Sequence, residues 1–178
     1  MHRREFITGV TSSVVAWPVS TDAQERSIPV IGYFSTGSLA SDASTFLPAF
    51  RQGMAQTGYV EGRNVAITYG WGEFQYDQLP TIAASLVHHP VVAIAAIGGT
   101  PTALVAKAAT STIPIVIYSG IDLVQSGLIA SFNRPSGNIT GIAALQADLI
   151  KKRIEVLHEL APRASLVALI VNPKNPYT

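Results

Sequence analysis

Three stretches of this chain place hydroxyl groups and glycines directly after apolar runs. Ser35-Thr36-Gly37-Ser38 follows VIGYF, Gly98-Gly99-Thr100-Pro101 follows VVAIAAI, and Ser119-Gly120-Ile121-Asp122 follows IPIVIY. Where a helix starts just beyond such a loop, its exposed backbone N–H groups and its dipole both favour an anionic ligand group. Hydroxyls and glycines can add to that site, and Asp122 could answer an ammonium group. The same residue types also cap helices, so each loop alone has a purely structural reading. A ligand site requires the three to converge on one rim. The candidate ligand-binding residues are Ser35, Thr36, Ser38, Gly99, Thr100, Ser119, Gly120 and Asp122.

Other chemistry is poorly supported. No GxGxxG follows the first apolar run and no GxxxxGK[ST] is present, which argues against dinucleotides and nucleoside triphosphates. No GxSxG nucleophile elbow occurs, so no catalytic residue is assigned. His88-His89 precedes Pro90 and reads as a solvated helix end, while His158 lies beside Glu155 and Glu159 on a charged helix face. No further ligand stands at metal-binding spacing, so neither a metal nor a cofactor is expected. Tyr69, Trp71, Phe74 and Tyr76 could line a cleft and stack on an aromatic ligand, or pack against the rim.

The elements that must position these residues alternate along the chain. Strands are expected over 27–35, 64–71, 91–99, 113–120, 139–145 and 165–172. The intervening helices are expected over 44–57, from Asp77 to Pro90, from a Thr100 cap, over 122–132 and over 147–160. Continuous apolar strands alternating with helices predict an α/β fold: an open parallel sheet with helices on both faces. In such sheets ligands bind outside the carboxyl ends of the strands. That is where the three loops fall.

Composition agrees with a buried core. Hydrophobic residues make up 48% of the 178-residue chain and charged residues 13%, against a usual charged share of about 25%. With a net charge of +1 and no basic run longer than Lys151-Lys152-Arg153, a nucleic-acid partner is poorly supported. The first 23 residues have the basic, apolar, small-residue order of a bacterial export signal, with cleavage expected after Ala23. Arg3-Arg4-Glu5-Phe6-Ile7 is similar to a twin-arginine signal; a general secretory signal that begins with two arginines is the alternative. The apolar run is too short and interrupted to span a bilayer, which takes about 20 residues. The absence of cysteine predicts a periplasmic form and not a lipoprotein.

Several segments together carry a family resemblance: GYVEGRNVAITYGW, YDQLP, AIGGTPTALVAKAATSTIPIVIYSGIDLVQSGLIASFNRPSGNITGI and LVALIVNPKNP. The chain resembles the substrate-binding proteins of ABC transporters, in the branch that includes tryptophan- and tyrosine-binding lipoproteins. The resemblance implies a two-lobed periplasmic binding protein of type I architecture that closes on a small solute, an amino acid or aromatic acid. It implies delivery to the importer's permease subunits in the inner membrane, and ligand contacts at the loops named above. This chain departs from the family in carrying Leu123 where a proline usually follows the aspartate, and in lacking an arginine near Gly70. Family members run to twice the usual domain length of about 150 residues. The expected organisation is therefore a signal over 1–23, a first lobe over 24–146, and a crossover helix with the start of a truncated second lobe over 147–178. The apolar run 165–172 would be that lobe's first strand and a route to self-association. An exported α/β hydrolase acting at the same rim is the alternative function.

Overall fold

The computed structural model describes residues 28–135, 137–144 and 149–173. The segment expected as an export signal over 1–23 lies outside the described residues, as do residues 24–27, 136, 145–148 and the last five. Five strands form one parallel sheet: β1 (Val30–Ser35), β2 (Ala66–Trp71), β3 (Val91–Ala96), β4 (Ile115–Ser119) and β5 (Ile139–Ala143), in the order β2-β1-β3-β4-β5. The helices are α1 (Leu39–Ala43), α2 (Phe46–Gln56), α3 (Leu79–His88), α4 (Thr100–Ala109) and α5 (Ile150–Leu160). The expected α/β class and parallel sheet are present.

Strand alternation divides the core between the two faces. Gly32 and Phe34 face α3 and α4: a Cβ on Gly32 would lie 3.6 Å from Leu86, and Phe34 packs in one cluster with Leu79, Ala83, Ala103 and Ala106. The intervening Tyr33 faces α2, where its ring meets Phe50 edge-on at 5.2 Å. The expected helices on both faces follow from this alternation. The β1–β2 connection runs one way across the sheet and the β2–β3 and β3–β4 connections run the other, so right-handed crossovers place α2 opposite α3 and α4. Burying each large apolar side chain contributes about 1.5–3 kcal/mol.

Several local expectations are corrected. The helix expected over 44–57 is α2, and an additional short helix, α1, precedes it, started by a reciprocal capping box between Ser38 and Ser41. Asp77 does not cap α3; it lies in a 3-10 turn, and the N-cap position falls on Gln78. No helix forms over 122–132. Asp122 closes a turn, and the N–H groups of Leu128 and Ile129 both return to Leu123 O, around Gly127 at φ +68°. Leu123, Leu128 and Ile129 are buried, so their spacing reflects a turn pressed into the core. Residues 165–172 form no strand and are exposed, and α5 buries none of its residues.

Candidate ligand-binding site

The three loops meet at the carboxyl end of the sheet because β1, β3 and β4 are neighbours. Thr36 Oγ1 donates to Gly98 O at 3.1 Å and joins the first loop to the second. Thr100 Oγ1 and Ser119 Oγ lie 2.9 Å apart and join the second to the third. A side chain at Gly98 would prevent this closure, since a Cβ there would sit 2.2 Å from Thr36 N and 2.9 Å from Ser35 C. The result is one continuous rim.

Most of the candidate side chains hold that rim in shape. Ser35 Oγ is buried and accepts from Gly37 N at 3.0 Å. Ser38 Oγ accepts from Ser41 N at 3.2 Å, while Ser38 N donates to Ser41 Oγ at 2.9 Å. Gly99, at φ +83°, occupies the N-cap position of α4, so Thr100 is the first helical residue and not its cap. Ser119 Oγ, besides its bond to Thr100, accepts from Ile121 N at 3.3 Å. Asp122 Oδ1 accepts from Val124 N at 2.7 Å and Gln125 N at 3.0 Å. Thr36, Ser38, Gly99, Gly120 and Asp122 remain partly open to solvent. Together with the first-turn N–H groups of α4, they are the polar surface a ligand meets.

A second layer lies beneath the first loop and carries no mark in the sequence. Asp42 is 4% exposed; Tyr33 Oη donates to its Oδ2 at 2.8 Å and Ser41 Oγ to its Oδ1 at 3.1 Å. Burial, then the bond to Asp42 and the charge there, push the Tyr33 phenol well above its ordinary range. Gly37 fits over this pair only because it lacks a side chain: a Cβ would fall 2.7 Å from Asp42 Oδ1. Asp42 sits in a run of small polar residues, and nothing in that run distinguishes a buried carboxylate from a solvated one.

Of the four aromatic residues at and after β2, three pack within the fold. Tyr69 and Trp71 stack at 5.4 Å with their planes 7° apart, and both rings lie against Tyr33. Tyr76 packs on the core, whereas Phe74 stays exposed at the rim. The Nδ1 groups of His88 and His89 each donate to a carbonyl four residues back at 2.7 Å, finishing α3 as a solvated helix end would.

Residues 38–177 match the family model described as ABC transporter substrate binding protein. The chain belongs to that family. Among curated proteins this substrate-binding chain is 31% identical, over 123 residues, to the tyrosine-binding protein of Clostridioides difficile strain R20291. That match covers 69% of this chain and 35% of the relative, so the chain spans about a third of the length of the curated relative it matches. Two solved structures share the fold. A conserved domain protein from Vibrio cholerae aligns with TM-score 0.65 at 26% identity, over 76% of this chain and 45% of its own. An ABC domain in complex with L-Trp from Streptococcus pneumonia aligns with TM-score 0.59 at 25% identity, over 70% and 43%. A family of binding proteins does not favour the hydrolase alternative.

Proposed function

We propose that this substrate-binding chain supplies a solute-capturing lobe to an ABC importer, and that it takes an amino acid with an aromatic side chain. The observation that carries this reading is the single rim made by the loops after β1, β3 and β4. The solute's carboxylate would meet the first turn of α4 near Gly99 and Thr100. Its ammonium group would meet Asp122, whose Oδ1 is occupied by the turn it caps. The tyrosine-binding relative and the tryptophan-bound structural neighbour support an aromatic amino acid as the solute class.

Delivery would be to permease subunits of the importer in the inner membrane, from the periplasm, with residues 1–23 as the export signal. No helix among the described residues is long and apolar enough to cross a membrane. A single lobe encloses less than the 70–90% of ligand surface that small-molecule sites usually bury. The chain by itself should therefore bind no better than millimolar, about −4 kcal/mol.

Thermal shift tests the reading. L-Tryptophan at ten times its dissociation constant should stabilise the chain by about 1.4 kcal/mol, and N-acetyl-tryptophan, which lacks the ammonium, by clearly less. Asp122→Asn keeps the turn-capping oxygen and loses the charge, so it should erase that preference. Turnover of simple esters with no shift from any amino acid would reverse the reading in favour of an enzyme.

A further inference from the structure

Gly72-Glu73-Phe74-Gln75 is a tight turn, closed by Gln75 N donating to Gly72 O at 2.7 Å. Both central residues have positive φ, +47° at Glu73 and +59° at Phe74. Such turns are dominated by Asn, Asp and Gly, because other side chains crowd the backbone in the left-handed region. A phenylalanine there is an outlier.

Three bonds hold the turn in this conformation, and all three go to the first loop of the rim. Gly72 N donates to Ser35 O at 2.9 Å, Phe74 N to Thr36 O at 2.7 Å and Glu73 N to Gly37 O at 3.1 Å. Gly72 itself is wedged in place, since a Cβ there would lie 2.7 Å from Leu79 Cδ2 and 3.1 Å from Ser35 O. The turn is thus strapped onto the loop that ends β1.

The side chain held there does nothing evident for the fold. Phe74 is 55% exposed, and among the described residues no aromatic ring packs against it, although Tyr69 and Trp71, a few residues earlier, do find ring partners. Strained backbone together with an exposed apolar side chain is a double cost that packing does not repay. Strain of this kind clusters where a ligand is held.

We propose that Phe74 is the apolar contact for the solute's side chain, placed at the rim by the strapped turn and selecting aromatic over small amino acids. This rests on the reading of the rim as an amino-acid site. It adds a residue from the loop after β2, beyond the loops after β1, β3 and β4.

Phe74→Gly separates this role from a structural one, because glycine relieves the strain while deleting the contact. The measurement is titration of the full chain with L-tryptophan and with L-alanine, followed by amide chemical shifts, alongside a melting curve. The expected result is a melting temperature equal to or above that of the parent chain, a loss of L-tryptophan affinity of about tenfold or more, and unchanged L-alanine affinity. Phe74→Leu should keep part of the L-tryptophan affinity. Parent-like L-tryptophan affinity in Phe74→Gly would overturn this inference and leave the rim reading standing. A lowered melting temperature would also overturn it, by showing that Phe74 is a packing residue. Failure of the parent chain to bind any amino acid would overturn both.

Discussion

Thr100 Oγ1 and Ser119 Oγ lie 2.9 Å apart with both side chains closed off from solvent, so the start of α4 is tied to the end of β4. Both hydroxyls are engaged within the fold. Their role is to fix where the first-turn N–H groups of α4 point.

Ser119→Ala should therefore destabilise the chain by about 1–3 kcal/mol, because it leaves the buried Thr100 hydroxyl and the Ile121 N–H without their partner. Thr100→Val should cost less, and the double variant should fall short of the sum by about 1 kcal/mol. Urea unfolding of the four proteins gives the coupling directly.

Tyr33 sets an alkaline limit on stability. Its folded pKa is raised, by burial first and then by Asp42, above the unfolded value of about 10. Below pH 10 both states hold the proton and its contribution is complete. As pH rises past 10 the unfolded chain releases a proton that the folded chain keeps, so stability falls by up to about 1.4 kcal/mol per pH unit. Tyr69 is raised in the same sense, by burial first and then by its bond to Glu61. Tyr33→Phe should cost about 1.5–3 kcal/mol at pH 8, since it removes a bond to the buried Asp42 carboxylate. Its deficit should shrink between pH 10 and pH 11, as seen in urea unfolding at each pH.

Two glycines should respond in opposite directions. Gly98→Ala forces a Cβ into the backbone at Ser35 and Thr36 and should cost about 1–3 kcal/mol. Gly53 lies exposed inside α2 with nothing within 4 Å of the added carbon. Gly53→Ala should stabilise by about 0.5–1 kcal/mol. Melting temperatures of the two variants check both signs.

Much of this architecture was legible in the sequence, for a physical reason. A strand buried on both faces, as β3 is from Ile94 to Ala96, needs a continuous apolar run, and the loops after β1, β3 and β4 announce themselves by an abrupt change to Ser, Thr and Gly. The partners of those hydroxyls were not legible. Thr36 reaches Gly98 across 62 positions, and only the strand order β2-β1-β3-β4-β5 makes them neighbours. The turn at Leu123–Ile129 reads as a helix in the sequence because core insertion and helical periodicity leave the same apolar spacing. The run 165–172 reads as a strand because its apolar, β-branched composition marks a segment that can pair, and no partner edge meets it among the described residues.

That run should nevertheless govern solution behaviour. Leu166, Leu169 and Ile170 are each more than two-thirds exposed, beside the uncovered apolar residues Ile154, Leu157 and Leu160 of α5. Exposed apolar chain of this kind associates with other copies. Removing the residues after Pro162 should shift the protein from an early, concentration-dependent elution to a monomer in size-exclusion chromatography.

The central claim is that the three joined loops form the surface that holds the solute. Amide chemical-shift mapping with L-tryptophan at millimolar concentration tests it most directly. Saturable shifts should concentrate at residues 35–38, 98–102 and 119–122. Shifts concentrated instead at α5 or at the hollow lined by Arg51, Met54, Tyr59 and Glu61, with the three loops silent, would contradict it.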